Sequence, residues 1–258
     1  MIIKFLIVTI RSSIIAQITG LGNFSIFVGM AIKSAFRPPF RYKAILKQME
    51  NIGTDSLPII ILTAIFSGAV LTLESGQMLY RFRTETVVGS LVSLSFTRQM
   101  APVLAALMII ARSGSAMAAQ LGTMRVTGQI DAIEAMAVDP LQLLVFPRII
   151  ACILILPIQT IVYDFFGMLG SYITGVKVLG ISEAFYFYFI QLYTDFGDIT
   201  MGLYKAAWFG LILSCIACYC GFHSENGALG VGRSTTKAVV ASSAAILVAN
   251  YFLTALQT

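Results

Sequence analysis

Thr127-Gly-Gln-Ile-Asp-Ala-Ile-Glu-Ala-Met-Ala-Val-Asp-Pro140 is a short polar island between two long apolar segments. From Gly128 to Val138 it predicts one helix. Ile130, Ile133 and Ala137 recur at helical spacing, Thr127 is a suitable N-cap, and Pro140 disfavours helical geometry at Asp139. Such a helix is about three turns long. Asp131 and Glu134 lie on one face, Asp139 follows, and no Lys or Arg falls between Val126 and Arg148, so the island is acidic. A helix too short to cross a bilayer and too apolar to float free either docks on another protein or is a solvated connection that happens to be helical.

Outward from the island the chain is membrane. Of its 258 residues 58% are apolar and only 11% charged, against about a quarter charged in soluble domains. Several runs approach or exceed the roughly 20 apolar residues that cross a bilayer, which leaves one helical membrane domain over 1–258 without room for an added soluble catalytic domain. The net charge of +5 is to be read by position rather than as nucleic-acid affinity. The four cysteines lie at apolar positions and make no secreted disulfide framework.

The first 49 residues are apolar but interrupted by Lys4, Arg11, Lys33, Arg37, Arg41, Lys43 and Lys47. The stretch from Ser12 to Ile32 is long enough to span but is diluted by polar residues and by Gly20, Gly22 and Gly29. A helix lying in the cytoplasmic interface, ended by Arg37-Pro38-Pro39, fits better than a sixth span. Five spans follow: Leu57 to Leu73, Val87 to Ala111, Ile149 to about Val176, one within Ile199 to Phe222 and one within Ala238 to Leu256. The segment carrying Phe185, Tyr186, Phe187, Tyr188, Phe189 and Tyr193 is expected to be a loop at headgroup level.

Charge gives the orientation. With five spans, twelve basic residues fall on one side: the seven before residue 57, Arg112, Arg125 and Arg148, then Arg233 and Lys237. The other side holds Arg81, Arg83, Lys177 and Lys205. The N-terminus and the island are therefore expected in the cytoplasm and the C-terminus outside. The expected fold class is an all-α integral membrane protein, with an N-terminal interfacial helix, a five-span core over 57–256 and a short cytoplasmic helix between spans two and three.

A charge placed inside a span is costly enough to suggest function. Arg98 and Gln99 fall near the middle of the second span, in Phe96-Thr-Arg-Gln-Met-Ala-Pro102, where Pro102 can free backbone groups. Arg98 either contacts substrate, is paired within a dimer or snorkels. Lys205, at the outer end of the fourth span, is a second candidate or a simple interface anchor. Asp164 is either an interhelical bond or part of a path. The small residues Ser113, Gly114, Ser115, Ala116, Ala118 and Ala119 permit close helix approach. Gly227-Ala-Leu-Gly-Val-Gly-Arg-Ser234 imitates a phosphate-binding loop, but Arg233 replaces the lysine and no strand precedes it. Cys215, Cys218, Cys220 and His223 are spaced like metal ligands, yet two of the cysteines lie within an apolar span, where packing is the better account.

The run Ala111-Arg-Ser-Gly-Ser-Ala-Met-Ala-Ala-Gln-Leu-Gly-Thr-Met-Arg125, then Gln129-Ile-Asp-Ala-Ile-Glu-Ala-Met-Ala-Val-Asp-Pro140 and Pro147-Arg148, closely resembles the MlaE-type permeases of ABC phospholipid transporters. The likeness covers most of the chain, and Glu134 to Pro140 is its most specific part. It implies a homodimer in the bacterial inner membrane that moves glycerophospholipid. It also implies a cytoplasmic ABC ATPase, which carries ATP and Mg, and a periplasmic MCE-type lipid-shuttle protein. It assigns Ile130, Asp131, Ile133, Glu134, Met136, Ala137 and Asp139 to ATPase coupling, and Leu71, Leu79 and Phe82 to the substrate cavity. The family often carries an acid where this chain has Gln99. A membrane-embedded lipid-modifying enzyme would need paired acids, a Ser/His pair or a metal, and the residues offer a single His and no G-x-S-x-G. A structural anchor would have no use for Arg98.

Overall fold

The computed structural model describes residues 19–20, 22–34, 42–225 and 227–257, apart from the side chain of Glu85. Among the described residues five helices are long and apolar enough to cross a membrane. They are α2 (Tyr42–Tyr80), α3 (Val88–Val126), α5 (Leu141–Val178), α7 (Phe196–Phe222) and α8 (Ala228–Gln257). Shorter helices accompany them: α1 (22–34), α4 (Gln129–Ala135) and α6 (Glu183–Tyr193). The described residues contain no strand. The count of five agrees with hydropathy, but the lengths do not. At 39 residues each, α2 and α3 are about 58 Å long, well beyond the ~30 Å of a bilayer's hydrocarbon core. Apolar composition marks only the stretch inside the hydrocarbon, whereas the hydrogen-bonded ladder continues into polar sequence on either side.

α5 packs along α2, and α7 packs against α5, α8 and the C-terminal part of α3. Without a hydrophobic drive between helices in lipid, this packing depends on close backbone approach. A Cβ added to Gly68 of α2 would lie 2.0 Å from the Gly167 carbonyl oxygen of α5, and one added to Gly170 would lie 2.1 Å from that of Ile65. The two helices therefore touch backbone to backbone. Hydroxyls tie the same contact, with Thr72 donating to Ser171 at 2.6 Å and Ser67 bonded to Tyr163 at 3.0 Å.

Two expectations are corrected. Residues 42–49 belong to the first long helix, not to an N-terminal segment. The Arg37-Pro38-Pro39 break and everything before residue 19 lie outside the described residues. The aromatic run is a helix, α6, rather than a loop. Its Tyr186 is buried beside Val88, Val92 and Ile181, and its hydroxyl bonds Ser171 at 2.8 Å. Burial raises the Tyr186 phenol pKa, while the Ser171 hydrogen bond opposes the shift.

The described part of α1 packs Phe27 against Tyr219, Phe222 and His223 at the C-terminal end of α7. Ser34 of α1 donates to Asp139 Oδ2 at 2.7 Å. α1 thus sits at the same end of the bundle as α4.

Candidate functional site

α3 is interrupted by π-turns at Phe96–Met100 and Ile110–Gly114. Such turns widen the helix and release a carbonyl from the i→i−4 ladder, and they recur at functional sites. The first carries Arg98 and Gln99. Opposite it, α7 starts with a capping box in which Asp195 is the N-cap and Asp198 reaches back to the Asp195 amide at 3.0 Å. The other oxygen of Asp198 takes Arg98, Nε at 2.7 Å and Nη2 at 2.5 Å. Asp198 is buried while the Arg98 side chain is 51% exposed, so the pair holds one edge of the guanidinium and leaves the other outward. Gly202, one turn along α7, lets α3 close in. A Cβ there would meet the Thr97 carbonyl oxygen at 2.4 Å.

Lys205 follows on the same face. It is 1% exposed, and its ammonium donates to the Arg98 carbonyl and to Thr254 Oγ1, each at 3.0 Å. Gln99 Nε2 donates to the same Thr254 hydroxyl at 3.1 Å, and Asn250 Oδ1, one turn away on α8, is buried without a partner. Three helices thus converge on two cations and one carboxylate, which leaves a surplus positive charge among the described residues. Arg98 lies ten residues from the Val88 end of α3, about 15 Å into the bundle. An apolar groove of about 590 Å³ runs between the same α7 and α8, bordered by Trp208, Ile212, Val248, Phe252 and Leu253, with none of the cluster's charged residues in its lining.

Asp198 of the same chain is the partner of Arg98, a pair not foreseen from the sequence. Lys205 is a buried cation rather than an interface anchor. Asp198 escaped the sequence reading, although Asp195-Phe-Gly-Asp198 is a capping-box pattern and 198, 202 and 205 share one helical face. Arg98, Gln99 and Lys205 come together, whereas Leu71, Leu79 and Phe82 do not join them. Leu71 and Leu79 pack against the Val88, Val92 and Tyr186 cluster, and Phe82 is exposed in the turn after α2. Asp164 makes no interhelical bond among the described residues. Its Oδ1 is buried without a partner at a cavity between α3, α5, α6 and α7.

At the other end, α4 is shorter than expected, seven residues in place of about three turns. Gly128 at φ 72° is its N-cap, and the Thr127 hydroxyl instead donates to Thr123 O at 2.8 Å. Ile130 is buried and anchors the helix. Asp131 accepts from Arg125 of α3 at 2.6 Å, so the basic residue just before the island cancels part of its acidity. Ala137 turns left-handed at φ 58° and ends the segment. Asp139 faces inward, where its Oδ1 accepts from the Leu141 amide at 2.9 Å and its Oδ2 from Ser34. Ile133 is half-buried, while Glu134 and Met136 are exposed. Glu134 and Asp139 border a groove of about 520 Å³ with Ile26, Met30, Phe222 and His223.

These features define a class: a multi-pass helical membrane protein with a net-positive cluster inside the bundle and an anchored, exposed acidic helix at one end. The profile of the "Permease MlaE" family matches residues 45–256, and the chain belongs to that family. It is 45% identical over 236 residues to a "Probable ABC transporter permease protein" of Rickettsia bellii, covering 92% of this chain and 91% of that one. It is 34% identical to the "Intermembrane phospholipid transport system permease protein MlaE" of Haemophilus influenzae, over 92% and 90% of the two chains. It is 33% identical to "Protein TRIGALACTOSYLDIACYLGLYCEROL 1, chloroplastic" of Arabidopsis thaliana, over 88% of this chain and 65% of that one.

Proposed function

We propose that the chain is the permease subunit of an ABC transporter that moves glycerophospholipid between the bacterial inner membrane and a periplasmic MCE-type lipid-shuttle protein. In this reading it works as a homodimer, with ATP and Mg held by a separate cytoplasmic ATPase. The N-terminus is cytoplasmic, α1 lies along the inner interface and the C-terminus is periplasmic. The supporting observation is the net-positive cluster of Arg98, Asp198 and Lys205, built by three helices of which α7 and α8 also form an apolar groove. A phosphodiester supplies the single negative charge the cluster lacks, and acyl chains match the groove. Asp198 fixes Arg98 by its Nε edge, so Nη1 stays available to phosphate. The dimer would bring Leu71, Leu79 and Phe82 of two copies around one cavity, since they line none with Arg98 in a single copy. α4 would seat the ATPase through Glu134, Met136 and the groove behind them. Reconstitution with labelled phospholipid tests the reading. Lipid transfer should require ATP and the copurified ATPase, and transfer that persists without either would refute it.

A further inference from the structure

A second cavity, of about 400 Å³, opens between α2 and α3 toward the α4 end and is bordered by Gln48, Asn51, Asp55, Arg112, Ser113 and Gln120. Unlike the outer groove it is lined by amides and charges. Arg112 stands in the second π-turn of α3, as Arg98 stands in the first. It too faces a carboxylate from a neighbouring helix, Asp55 of α2, at a looser 3.4 Å. Behind the wall lies Arg148 of α5, 6% exposed and without a carboxylate partner among the described residues. Its Nη1 donates to Leu144 O at 2.5 Å and its Nη2 to Gln120 Oε1 at 3.3 Å, while its Nε is buried with no partner. Gln120 therefore spends its oxygen on Arg148, and its amide donors remain for the cavity. Two guanidinium groups stand against one carboxylate. This is the imbalance of the outer cluster, with an uncompensated cation whose desolvation favours a bound anion.

Depth identifies the anion. Arg112 is 24 residues from the Val88 end of α3, and Asp55 is 25 residues from the Tyr80 end of α2. These spacings correspond to about 36 and 38 Å. A bilayer is ~30 Å across its hydrocarbon and ~40–45 Å with headgroups, so a cavity at this depth lies among the inner-leaflet headgroups. We propose that this cavity binds the phosphate of an inner-leaflet glycerophospholipid, with Arg112 as its direct cation and Asn51, Gln48 and Gln120 as donors. The inference rests on the permease reading and deepens it. The lipid then has two headgroup stations, on π-turns 14 residues apart along α3, about 21 Å.

The test places a photoreactive benzoylphenylalanine at Asn51, and separately at the exposed Leu62 in the middle of α2, in the complete transporter reconstituted in phosphatidylcholine vesicles carrying radiophosphorus-labelled phosphatidylglycerol. Crosslinking at 51 is expected to fall about tenfold in Arg112→Gln, about 1.4 kcal/mol of affinity, with crosslinking at 62 unchanged and Arg112→Lys intermediate. Asp55→Asn removes the competing carboxylate and should raise crosslinking at 51, a gain that a misfolded variant could not give. Equal crosslinking in Arg112→Gln, a loss in Asp55→Asn, or equal labelling by diacylglycerol overturns the site. Suppression of the signal by inorganic phosphate in the medium would assign the cavity to free phosphate and overturn the lipid claim. Lipid transfer measured on the same vesicles separates the two readings. Transfer without Arg112-dependent crosslinking sinks only this inner site, whereas Arg112-dependent crosslinking without any ATP-driven transfer sinks the transport reading.

Discussion

Lys205 donates to the main-chain carbonyl of Arg98 at 3.0 Å, a backbone oxygen that sits in a π-turn and is met by a cation from another helix. The buried ammonium thus holds the turn open while the Arg98 side chain rests on Asp198 at the start of α7. Lys205→Met should leave that carbonyl unpaired, lower thermal stability by about 1–3 kcal/mol and reduce lipid crosslinking. Unchanged crosslinking in a properly assembled variant would remove Lys205 from the site.

Arg98→Ala should weaken phospholipid crosslinking and transfer about tenfold or more while dimer assembly and ATPase association persist. Arg98→Lys should rescue partly, because an ammonium can replace the charge but not the planar fork that serves Asp198 and the phosphate together. Crosslinking has to be read on material confirmed as dimeric, since a dimer that falls apart would lower it indirectly. Wild-type crosslinking by the Ala variant ends the phosphate role.

Glu134→Lys reverses the exposed charge of α4 without touching Ile130, Asp131 or Asp139, which hold the helix in place. ATPase copurification should drop severalfold while the permease still folds and dimerises. Full copurification together with lipid-stimulated ATP hydrolysis would show that Glu134 does not touch the partner.

Gly68→Val should be among the most damaging changes in the membrane core. Its Cβ would fall 2.0 Å from a backbone oxygen, which no side-chain rotation relieves, so α2 and α5 must separate. A loss of at least about 3 kcal/mol is expected, read as loss of folded, detergent-stable protein. Near-normal thermal stability would mean that the two backbones are not held so close.

Single cysteines at Met136 and Leu256, both exposed, should react with an impermeant maleimide from opposite sides of the membrane. Background should be low because Cys152, Cys215, Cys218 and Cys220 are all buried. Labelling of both from one face would demand an even number of crossings between them.

The five spans were legible because hydropathy reports which residues can sit in hydrocarbon, and that is the property on which membrane helices are selected. It says nothing of where a helix ends once it leaves the bilayer, so α2 and α3 came out too short. The aromatic run of α6 hid its periodicity because nearly every position is apolar, and only Tyr186 enters the core. Arg98, Gln99 and Lys205 stood out as polar residues in apolar surroundings. Asp198 did not, because an acid at a helix start reads as a cap. It is a cap as well as an ion-pair partner, and the second role exists only because Gly202 and the π-turn bring α3 against it. No single stretch of sequence displays that coincidence.

The Arg125 to Asp131 ion pair fastens α4 to the very helix that carries Arg98. Arg125 lies 27 residues from Arg98 along the same helical rod, about 40 Å away, pliable at its two π-turns and without an intervening loop. In the proposed transport reading, a load that an ATPase placed on α4 would reach the turn that presents Arg98 along the rod's axis, as a crank delivers motion through a shaft.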